Sequence, residues 1–418
     1  MVKTDSFGNI ITGELPYARG KILKNTEDDY KKVIKANKII LDRRKKSEVI
    51  YDFTGLDRGF PFEASDYQGM TDEISGAIYG DELRIVGLNH LGGNDREHDI
   101  LLTNRMTAAT IAVHLALVKP NQIVVGISPS YSHPSIIRAA RLAGARFIDF
   151  NNIKEFESAL DSKKRISLLC ITRLAVTYDI METDNLKHII ETAKSRGINV
   201  FIDDAGGARV GPSIFKQPKS LELGADLVAT GLDKYGVVGP RFGLLGGRKD
   251  LVSIVRAKTW ELGLEARPVF FPSAIRSLKM FKQERVESLV NTTKEVGKEL
   301  KVLLGPKYVH DTPVTSQILA EDLLKLCMER ADIDKATIVP YEATAALSML
   351  LLKNYGILTV HFAGIPPGTA STLLKFVHPE TLEKFGGAKK LAEAINSSIN
   401  ELSKLLRAPT EIYNLLLV

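Results

Sequence analysis

The chain has 418 residues, of which 44% are hydrophobic and 25% charged, so it is long enough to bury a large core and to form two domains. Its 56 basic and 50 acidic residues leave a formal net charge of +6, too small an excess to indicate a nucleic-acid or membrane surface by itself. Two cysteines exclude a disulfide framework, and no apolar run has the length of a signal peptide core or a membrane-spanning helix, so the sequence predicts a cytoplasmic protein.

The first 50 residues predict a basic helical arm. Apolar residues recur through 25–46 among many lysines and arginines, with a spacing typical of a helix. The first interpretation is that this helix packs on the protein body or on a partner subunit, and the alternative is contact with RNA phosphates. From 49 to 93 the glycines indicate loops near a pocket, where His90 is a candidate substrate contact.

A short strand that begins at Ile100 leads into a helix. The first turn of that helix contains Arg105, Met106 and Thr107. A helix N-terminus with small or polar residues offers backbone N–H groups and a positive dipole end to a phosphate, so these three residues are candidate phosphate ligands. Ordinary capping of the helix is the alternative.

Helices and short apolar strands alternate as far as residue 230. We predict strands at 122–128, 146–150, 166–172, 198–203 and 226–230, and helices at 136–143, 153–160, 184–196 and 218–223. Strands that are separated by helices form a mostly parallel sheet with helices on both faces, and ligands bind beyond the carboxyl ends of such strands. Arg173 follows one strand end and is a candidate substrate contact. Tyr131 or His133, in the loop after another, could stack on a flat ring, and His133 is preferred because Pro134 restrains the chain behind it.

Lys234 lies in a turn between two short apolar runs, and Asp203 ends an apolar strand. A lysine beside buried strands can lose its charge and form a Schiff base, whereas a carboxylate at a strand end can keep a pyridinium nitrogen protonated. The alternatives are an exposed loop lysine and an aspartate that only caps its strand. The two residues together predict pyridoxal phosphate as the cofactor, and the sequence predicts no metal site.

The pattern changes after residue 250. We predict helices at 250–260 and 273–303, and then a smaller α+β part with strands at 316–320, 357–363 and 373–377 and helices at 341–354 and 387–406. The predicted domains are a helical arm of residues 1–50, a large cofactor-binding domain of residues 51–305, and a small carboxyl-terminal domain of residues 306–418.

Several motifs give the chain a resemblance to a known family. They are Gly87-Leu-Asn-His-Leu-Gly-Gly, Thr103-Asn-Arg, His133-Pro-Ser, Asp203-Asp-Ala-Gly-Gly-Ala-Arg, Gly224-Ala-Asp-Leu-Val, and Asp233-Lys-Tyr followed by Gly239-Pro-Arg. The chain resembles fold-type I pyridoxal phosphate enzymes, and more narrowly an archaeal group related to bacterial selenocysteine synthase. The resemblance implies an α/β transferase fold with a large and a small domain, and at least a homodimer.

Carried onto this chain, the resemblance implies a role for each matching residue. Lys234 is the lysine that forms the aldimine, Asp203 the partner of the ring nitrogen, and His133 the stacking side chain. Arg105, Met106 and Thr107 fall in the phosphate cup. Thr230, which precedes the lysine, is a further candidate for cofactor binding.

Two positions depart from the pattern of this family. Where many relatives carry an arginine in the small domain to hold a substrate carboxylate, this chain has Leu374-Lys-Phe, so Lys375 is the nearest equivalent. The third position after Asp203, often His or Gln in relatives, is Gly206. We take Lys375 and Arg241 as further candidate substrate contacts.

The expected activity is that of a pyridoxal phosphate-dependent enzyme that forms an external aldimine with an amino acid or aminoacyl substrate. Lys234 would remove the α-proton, and a β-substituent would be eliminated or replaced, as in a selenocysteine synthase-like transferase or a C–S lyase. Transamination is one alternative, and a non-catalytic or tRNA-associated protein that retains the fold is another. The slight basic excess favours a small amino-acid substrate over tRNA.

Overall fold

The computed structural model describes residues 3–12, 15–161, 166–362 and 368–418, and the chain divides into two units. One, the sheet unit, comprises Leu56–Glu287, and the other, the terminal unit, comprises Met1–Gly55 together with Ser288–Val418. The boundaries predicted from sequence, after residues 50 and 305, differ from these. The predicted arm therefore belongs to the same unit as the carboxyl-terminal residues.

The helices and strands follow one another closely along the chain. The α-helices are α1 (Thr26–Lys45), α2 (Asp72–Leu91), α3 (Met106–Leu117), α4 (Pro134–Leu142), α5 (Ile153–Asp161), α6 (Thr183–Ser195), α7 (Gly207–Phe215), α8 (Lys249–Leu262), α9 (Phe271–Lys279), α10 (Gln283–Leu304), α11 (Ala320–Ala331), α12 (Pro340–Tyr355), α13 (Pro379–Phe385), α14 (Ala388–Leu405) and α15 (Pro409–Leu417). The strands are β1 (Tyr51–Asp52), β2 (His98–Thr103), β3 (Ile123–Ile127), β4 (Arg146–Phe150), β5 (Ile166–Thr172), β6 (Asn199–Asp203), β7 (Leu227–Gly231), β8 (Gly243–Arg248), β9 (His310–Asp311), β10 (Thr315–Ile318), β11 (Ile357–Leu358) and β12 (Thr372–Lys375). Short 3-10 helices lie at Ala64–Gly69, Pro268–Phe270 and Val360–Phe362.

Among the described residues of the sheet unit, seven strands form one sheet in the order β2-β8-β7-β6-β5-β3-β4. Neighbouring strands are parallel except β8, which is antiparallel to both β2 and β7. The strands other than β8 therefore share one direction, and their carboxyl ends lie at one edge of the sheet. The predicted α/β fold with a mostly parallel sheet is confirmed.

Alternating side chains along the central strands build a core on each face of this sheet. In β5, Leu168 and Cys170 belong to one buried cluster, whereas Leu169 and Ile171 belong to the other. The same alternation places Phe201 of β6 on the first face. Because successive side chains of a strand point to opposite faces, a continuous apolar run is what a sheet covered by helices on both sides requires.

The terminal unit contains the three-stranded antiparallel sheet β12-β10-β9 and the parallel pair β1-β11. Its apolar core surrounds α12, a helix with buried residues all along its length. Glu342 of α12 is buried, and its Oε1 accepts hydrogen bonds from the backbone N–H groups of Ile22 at 2.7 Å and Leu23 at 2.9 Å. This carboxylate therefore fastens the segment before α1 to the core of the unit.

Most predicted elements of the sheet unit are present, and four predictions of local structure are wrong. The segment 87–93 is predicted as a loop but forms the last turns of α2 and its cap, because the glycines there do not interrupt a packed helix. The helix predicted at 218–223 is a turn, and helix α7 lies before it. The helix predicted at 273–303 is divided into α9 and α10. The strand predicted at 357–363 is limited to β11, and residue 363 lies outside the described residues.

Glu342 provides a test of how the amino-terminal segment is held. Replacing Glu342 by Ala removes the acceptor from two buried N–H groups, so we expect the free energy of unfolding to fall by about 2–4 kcal/mol. Chemical denaturation of the full-length chain measures this change. Glu342→Gln retains one carbonyl oxygen and should lose clearly less, and equal losses in the two variants would contradict the role of the hydrogen bonds.

Candidate active site

Lys234 lies in the turn after β7, at the carboxyl edge of the sheet. Asp57 fastens this turn, because its backbone N–H donates to the carbonyl of Asp233 at 3.1 Å and its Oδ2 accepts from the backbone N–H of Gly236 at 2.6 Å. The lysine side chain runs back over the end of β7, since a Cβ built on Gly231 would lie 3.4 Å from its Cε. The amine is thus half-buried and held at the sheet edge.

Asp203 and Lys234 are the charged pair of this edge. Asp203 ends β6, is 4% exposed, and accepts a hydrogen bond from the backbone N–H of Ala205 at 3.2 Å. Burial raises the pKa of Asp203 to about 6, and the charge of Lys234 opposes that rise. Burial also lowers the pKa of the Lys234 amine, against the attraction of Asp233 and Asp203. Burial therefore shifts both groups towards their neutral forms.

Three adjacent strands end in polar side chains beside this pair. The register pairs Ile127 with Ile171 and Thr172 with Asp203, so Ser128, Thr172 and Asp203 lie in one row. The hydroxyls of Ser128 and Thr172 are buried, and neither has a hydrogen-bond partner within the described part of the chain. A buried hydroxyl without a partner is unfavourable, so this row favours a polar ligand at the edge.

The N-terminus of α3 lies at the same edge, directly after β2. Its N-cap, Arg105, makes no capping hydrogen bond with its side chain in the region that the structure describes. A Cβ on Gly243 of β8 would lie 2.6 Å from the Cα and 2.7 Å from the nitrogen of Met106, so only glycine lets this strand pass beneath the helix end. Met106 and Thr107 are half-buried. The backbone N–H of Ala108 donates to the carbonyl of Arg105 at 2.9 Å, so the amides of Met106 and Thr107 are the candidate donors to an anion.

Arginines gather around Asp233, next to the lysine. The Nε atoms of Arg241 and Arg58 lie 3.8 and 4.0 Å from Oδ2 of Asp233, which are ion-pair distances longer than a hydrogen bond. Burial and, second, the charge of Arg105 lower the pKa of the Arg241 guanidinium to about 10. Guanidinium groups held this close together favour an anion between them.

His133 is the N-cap of α4 and is half-buried. Its Nδ1 accepts from the backbone N–H of Ser135 at 3.2 Å and lies 2.7 Å from the Ser135 hydroxyl. The preceding residue, Ser132, is held by Asp149 of β4 through a backbone bond of 2.9 Å and a hydroxyl bond of 2.7 Å. The histidine ring is thus fixed from both sides of the loop.

Two predicted ligands turn out to lie inside the protein, around the buried guanidinium of Arg209. His90 lies in the last turn of α2, and its Nε2 is 3.4 Å from a guanidinium nitrogen of Arg209. Burial, and second the charge of Arg209, holds the pKa of His90 well below its usual value. The hydroxyl of Thr230 accepts from Arg209 at 2.7 Å and donates to the carbonyl of Asp204 at 2.9 Å. We therefore remove His90 from the substrate contacts and Thr230 from the cofactor ligands.

Arg173 is a third correction. Its side chain is fully buried, and its guanidinium donates to Gln217 at 3.0 Å, to Ser220 at 3.2 Å and to the carbonyl of Pro218 at 2.7 Å. It also pairs with Asp204 at 3.4 Å. A guanidinium with these partners supports the turn after α7 and has no role as a substrate contact.

The remaining predicted contact, Lys375, belongs to the terminal unit. It ends β12, pairs in register with Thr315, and is buried. Its assignment to the substrate stays a prediction. Sequence reasoning missed Asp57 and Arg58, because their places depend on chain segments distant in sequence. Thr172 ends the strand predicted at 166–172, and the sequence therefore places it at this edge.

No helix among the described residues is long and apolar enough to cross a membrane. The same residues contain no group of three or more His, Cys, Asp or Glu side chains that could hold a metal ion.

Comparison with known proteins gives a consistent picture. Residues 88–259 match the family model of class I and II aminotransferases. The chain is 32% identical over 355 residues to a protein of Methanothermobacter thermautotrophicus named "UPF0425 pyridoxal phosphate-dependent protein", covering 84% of this chain and 88% of the relative. A protein of the same name from Methanosphaera stadtmanae is 30% identical, covering 83% and 88%.

Solved structures share the fold at lower identity. Aspartate aminotransferase from Thermotoga maritima has a TM-score of 0.54 and 16% identity, covering 88% of this chain and 96% of that one. The structure titled as a SepCysS complex with the N-terminal domain of SepCysE has a TM-score of 0.55 and 15% identity, covering 87% and 99%. At these identities the comparisons establish the fold alone.

Asp203 provides a pH-dependent test of the site in the cofactor-free protein. Because its pKa is raised to about 6, the folded state favours the neutral acid, and the stability it contributes at low pH is lost as the pH rises from about 4 through 6. Asp203→Asn should therefore be more stable than the original protein above pH 6, by on the order of 1–3 kcal/mol, and equal to it below pH 4. Denaturation between pH 4 and 8 measures this difference.

The control is Asp250→Asn, because hydrogen bonding to Arg248 lowers the pKa of the exposed Asp250. This variant should show the opposite and smaller trend. If the original protein instead became more stable than Asp203→Asn as the pH rises from 5 to 7, the burial of an ionisable carboxylate at this position would be contradicted.

Proposed function

The chain belongs to the family of UPF0425 pyridoxal phosphate-dependent proteins, and from that premise we propose that it is an enzyme that binds pyridoxal phosphate at Lys234 and acts on an amino acid. The observation that carries the proposal is the pair of Lys234 and Asp203 at the carboxyl edge of the sheet, each with its pKa moved towards the neutral form. Perturbed titrating groups in such a place are typical of catalytic sites.

The side chains of this edge fit the cofactor. Lys234 would hold the aldehyde carbon, and Asp203 would lie against the ring nitrogen, whose positive charge would restore the ionised carboxylate. The unpartnered hydroxyl of Thr172, next to Asp203 in register, is suited to the polar edge of the ring, and His133 is suited to its face. The fit rests on the buried carboxylate of Asp203, whose pKa is raised, and on the hydroxyl of Thr172, which has no hydrogen-bond partner among the described residues.

The phosphate would be held at the N-terminus of α3. The amides of Met106 and Thr107, the helix dipole and the passing strand at Gly243 form a cradle of the right chemistry for a dianion. We reassign Arg241 from the substrate to this phosphate, together with Arg105, because the two guanidiniums are close enough to lower the pKa of Arg241.

Pyridoxal phosphate, when bound, supplies an aldehyde that reacts with amines and a ring that accepts electrons. The residues of this chain do the rest. Burial lowers the pKa of Lys234 and so favours its neutral amine, which would accept the proton from the substrate α-carbon, and Asp203 would stay ionised beside the ring. Asp203 is buried at this edge, which strengthens its electrostatic interactions.

We propose β-elimination or β-replacement as the reaction, in keeping with the sequence resemblance to selenocysteine synthase. The match to the aminotransferase family model favours transamination as the second candidate. A small amino acid remains the proposed substrate, and tRNA binding remains the less favoured alternative.

We also propose a homodimer in the cytoplasm, with the predicted large and small domains as its functional parts. Exposed apolar side chains support the dimer: Phe60, Tyr67, Met70, Ile74 and Ile78 are each at least 42% exposed, and they lie close together along the chain at the start of the sheet unit. Apolar residues gathered in this way are typical of surfaces that contact another protein.

Reduction with borohydride tests the proposal directly. The purified protein loaded with pyridoxal phosphate should absorb visible light, lose that absorption on reduction, and yield a single modified peptide that contains Lys234. Lys234→Ala should lose the modification, whereas Lys219→Ala, which removes another lysine of the sheet unit, should keep it. Modification of other lysines, or none, would overturn the proposal.

Amino acids added to the same protein distinguish the reactions. Elimination from a substrate with a β-leaving group releases pyruvate and ammonia, whereas transamination leaves a keto acid and transfers the amino group to the cofactor. Spectral change with neither set of products would favour another reaction. Unchanged spectra together with salt-sensitive binding of tRNA would favour the non-catalytic alternative.

Arg241 provides a test of the phosphate site. Arg241→Met should weaken binding of pyridoxal phosphate roughly ten- to hundredfold, since a hydrogen bond to a charged group contributes about 1.5–3 kcal/mol. Binding of pyridoxal, which lacks the phosphate, should not change. Arg248→Met is the control, because Arg248 pairs with Asp226 and Asp250 where β8 ends, opposite the start of β2. Equal weakening for both aldehydes would place Arg241 away from the phosphate.

A further inference from the structure

A side chain at position 206 would collide with a residue from another part of the sheet unit, Tyr235. The backbone of Gly206, at φ −115° and ψ −28°, is open to any residue, so the absence of a side chain is not a backbone requirement. A Cβ built there would lie 2.3 Å from Cε2 of Tyr235. The ring of Tyr235 therefore fills the space that a side chain at position 206 would occupy.

Tyr235 directly follows Lys234 and has an unusual backbone. Its φ is +49°, in a region that residues with large side chains rarely adopt, and the ring is buried. Its hydroxyl lies 2.8 Å from the hydroxyl of Tyr178, a second buried tyrosine with a positive φ of +69°. Both tyrosines thus have an unfavourable backbone conformation, and their hydroxyls are joined by a hydrogen bond. Backbone strain of this kind persists where the surrounding structure holds a residue in place, and it is typical of functional sites.

Tyr178 lies in the loop that follows β5, and that loop is itself anchored. The backbone N–H of Tyr178 donates to the carbonyl of Ala175 at 2.9 Å, and Leu174 and Ile180 form an antiparallel bridge. The pair of hydroxyls thus ties the loop after Thr172 to the turn that carries Lys234. The ring of Tyr235 stands between that turn and the residues that follow Asp203.

Resting on the proposed function, we infer that Tyr235, held by Tyr178, is a positioning residue that replaces the side chain missing at Gly206 and fixes the Lys234 amine beside Asp203. The ring excludes water from one side of the pair. The amine is also faced by Asp233 and Asp203, which favour its charge, and by Arg209 and Arg241, which oppose it. Water admitted beside the amine would weaken all of these influences and stabilise the ammonium form.

The test measures the Lys234 amine in the full-length protein, after hydroxylamine has removed any bound aldehyde. Brief labelling with acetic anhydride over a range of pH, read at the Lys234 peptide by mass spectrometry, gives the midpoint of its titration. In Tyr235→Ala and in Gly206→Ala, whose new methyl displaces the ring, we expect the midpoint to rise by roughly half to one pH unit. Tyr235→Phe and Tyr178→Phe should give an equal, smaller rise, and the double variant no more than either.

Two comparisons separate positioning from packing. Tyr308→Phe, which removes a hydroxyl bonded to Glu329 in the terminal unit, should leave the midpoint unchanged. Gly206→Ala should lower the free energy of unfolding more in the original protein than in Tyr235→Ala, where the ring is absent and, of the three atoms nearest to the new methyl, only Cδ2 of Leu174 remains, at 3.0 Å. An unchanged midpoint in Tyr235→Ala and Gly206→Ala, whatever their stability, overturns the inference, and the Phe variants decide it if those two fail to fold.

Labelling needs no cofactor, so it separates this inference from the proposed function. If borohydride fails to join pyridoxal phosphate to Lys234 while the midpoints shift as expected, the positioning of the amine stands and its assigned chemistry falls. If the cofactor is joined to Lys234 and the midpoints do not move, only the role of Tyr235 is wrong.

Discussion

The buried carboxylate of Asp203 and the half-buried amine of Lys234 lie at one edge of the sheet and influence each other's charge. The surrounding structure holds both groups at this edge. Within the described part of the chain, the carboxylate of Asp203 accepts a single backbone hydrogen bond where it is buried, so the fold leaves its ionised form poorly stabilised. A buried carboxylate that is unfavourable in its ionised form is typical of a site where a bound group supplies the compensating positive charge. The same reasoning explains why the Lys234 turn is fastened by Asp57 rather than left to solvent.

The buried arginines behind this edge belong to its support. Arg209 holds the hydroxyl of Thr230 and the carbonyl of Ala205, and Arg173 holds the turn that follows α7. The hydroxyls of Ser220 and Thr230, which accept hydrogen bonds from these arginines, donate in turn to the side chain and the backbone carbonyl of Asp204. The strand end that carries Asp203 is therefore rigid, which a site that orients a flat ring requires.

The fold could be predicted from sequence because its signals are local. Apolar runs bounded by glycine, proline and polar residues mark β3 to β7, and their alternation with helices determines a parallel sheet. The site could be predicted only at strand ends and helix starts, where Asp203, Lys234 and Arg105 lie. The substrate contacts predicted at His90 and Arg173 are wrong, because a sequence does not reveal whether a polar side chain meets a buried partner such as Arg209 or Gln217.

The groups suited to the cofactor all come from the sheet unit, whereas the substrate candidate Lys375 comes from the terminal unit. This separation explains why a shared fold determines the cofactor better than the reaction. Strand ends and a helix N-terminus are properties of the sheet and persist wherever the fold does. A substrate contact depends on one side chain in a loop or a short strand, which can change without disturbing the sheet. Within the sheet unit, the space beside Gly206 is filled by the ring of Tyr235, which comes from a different part of the chain.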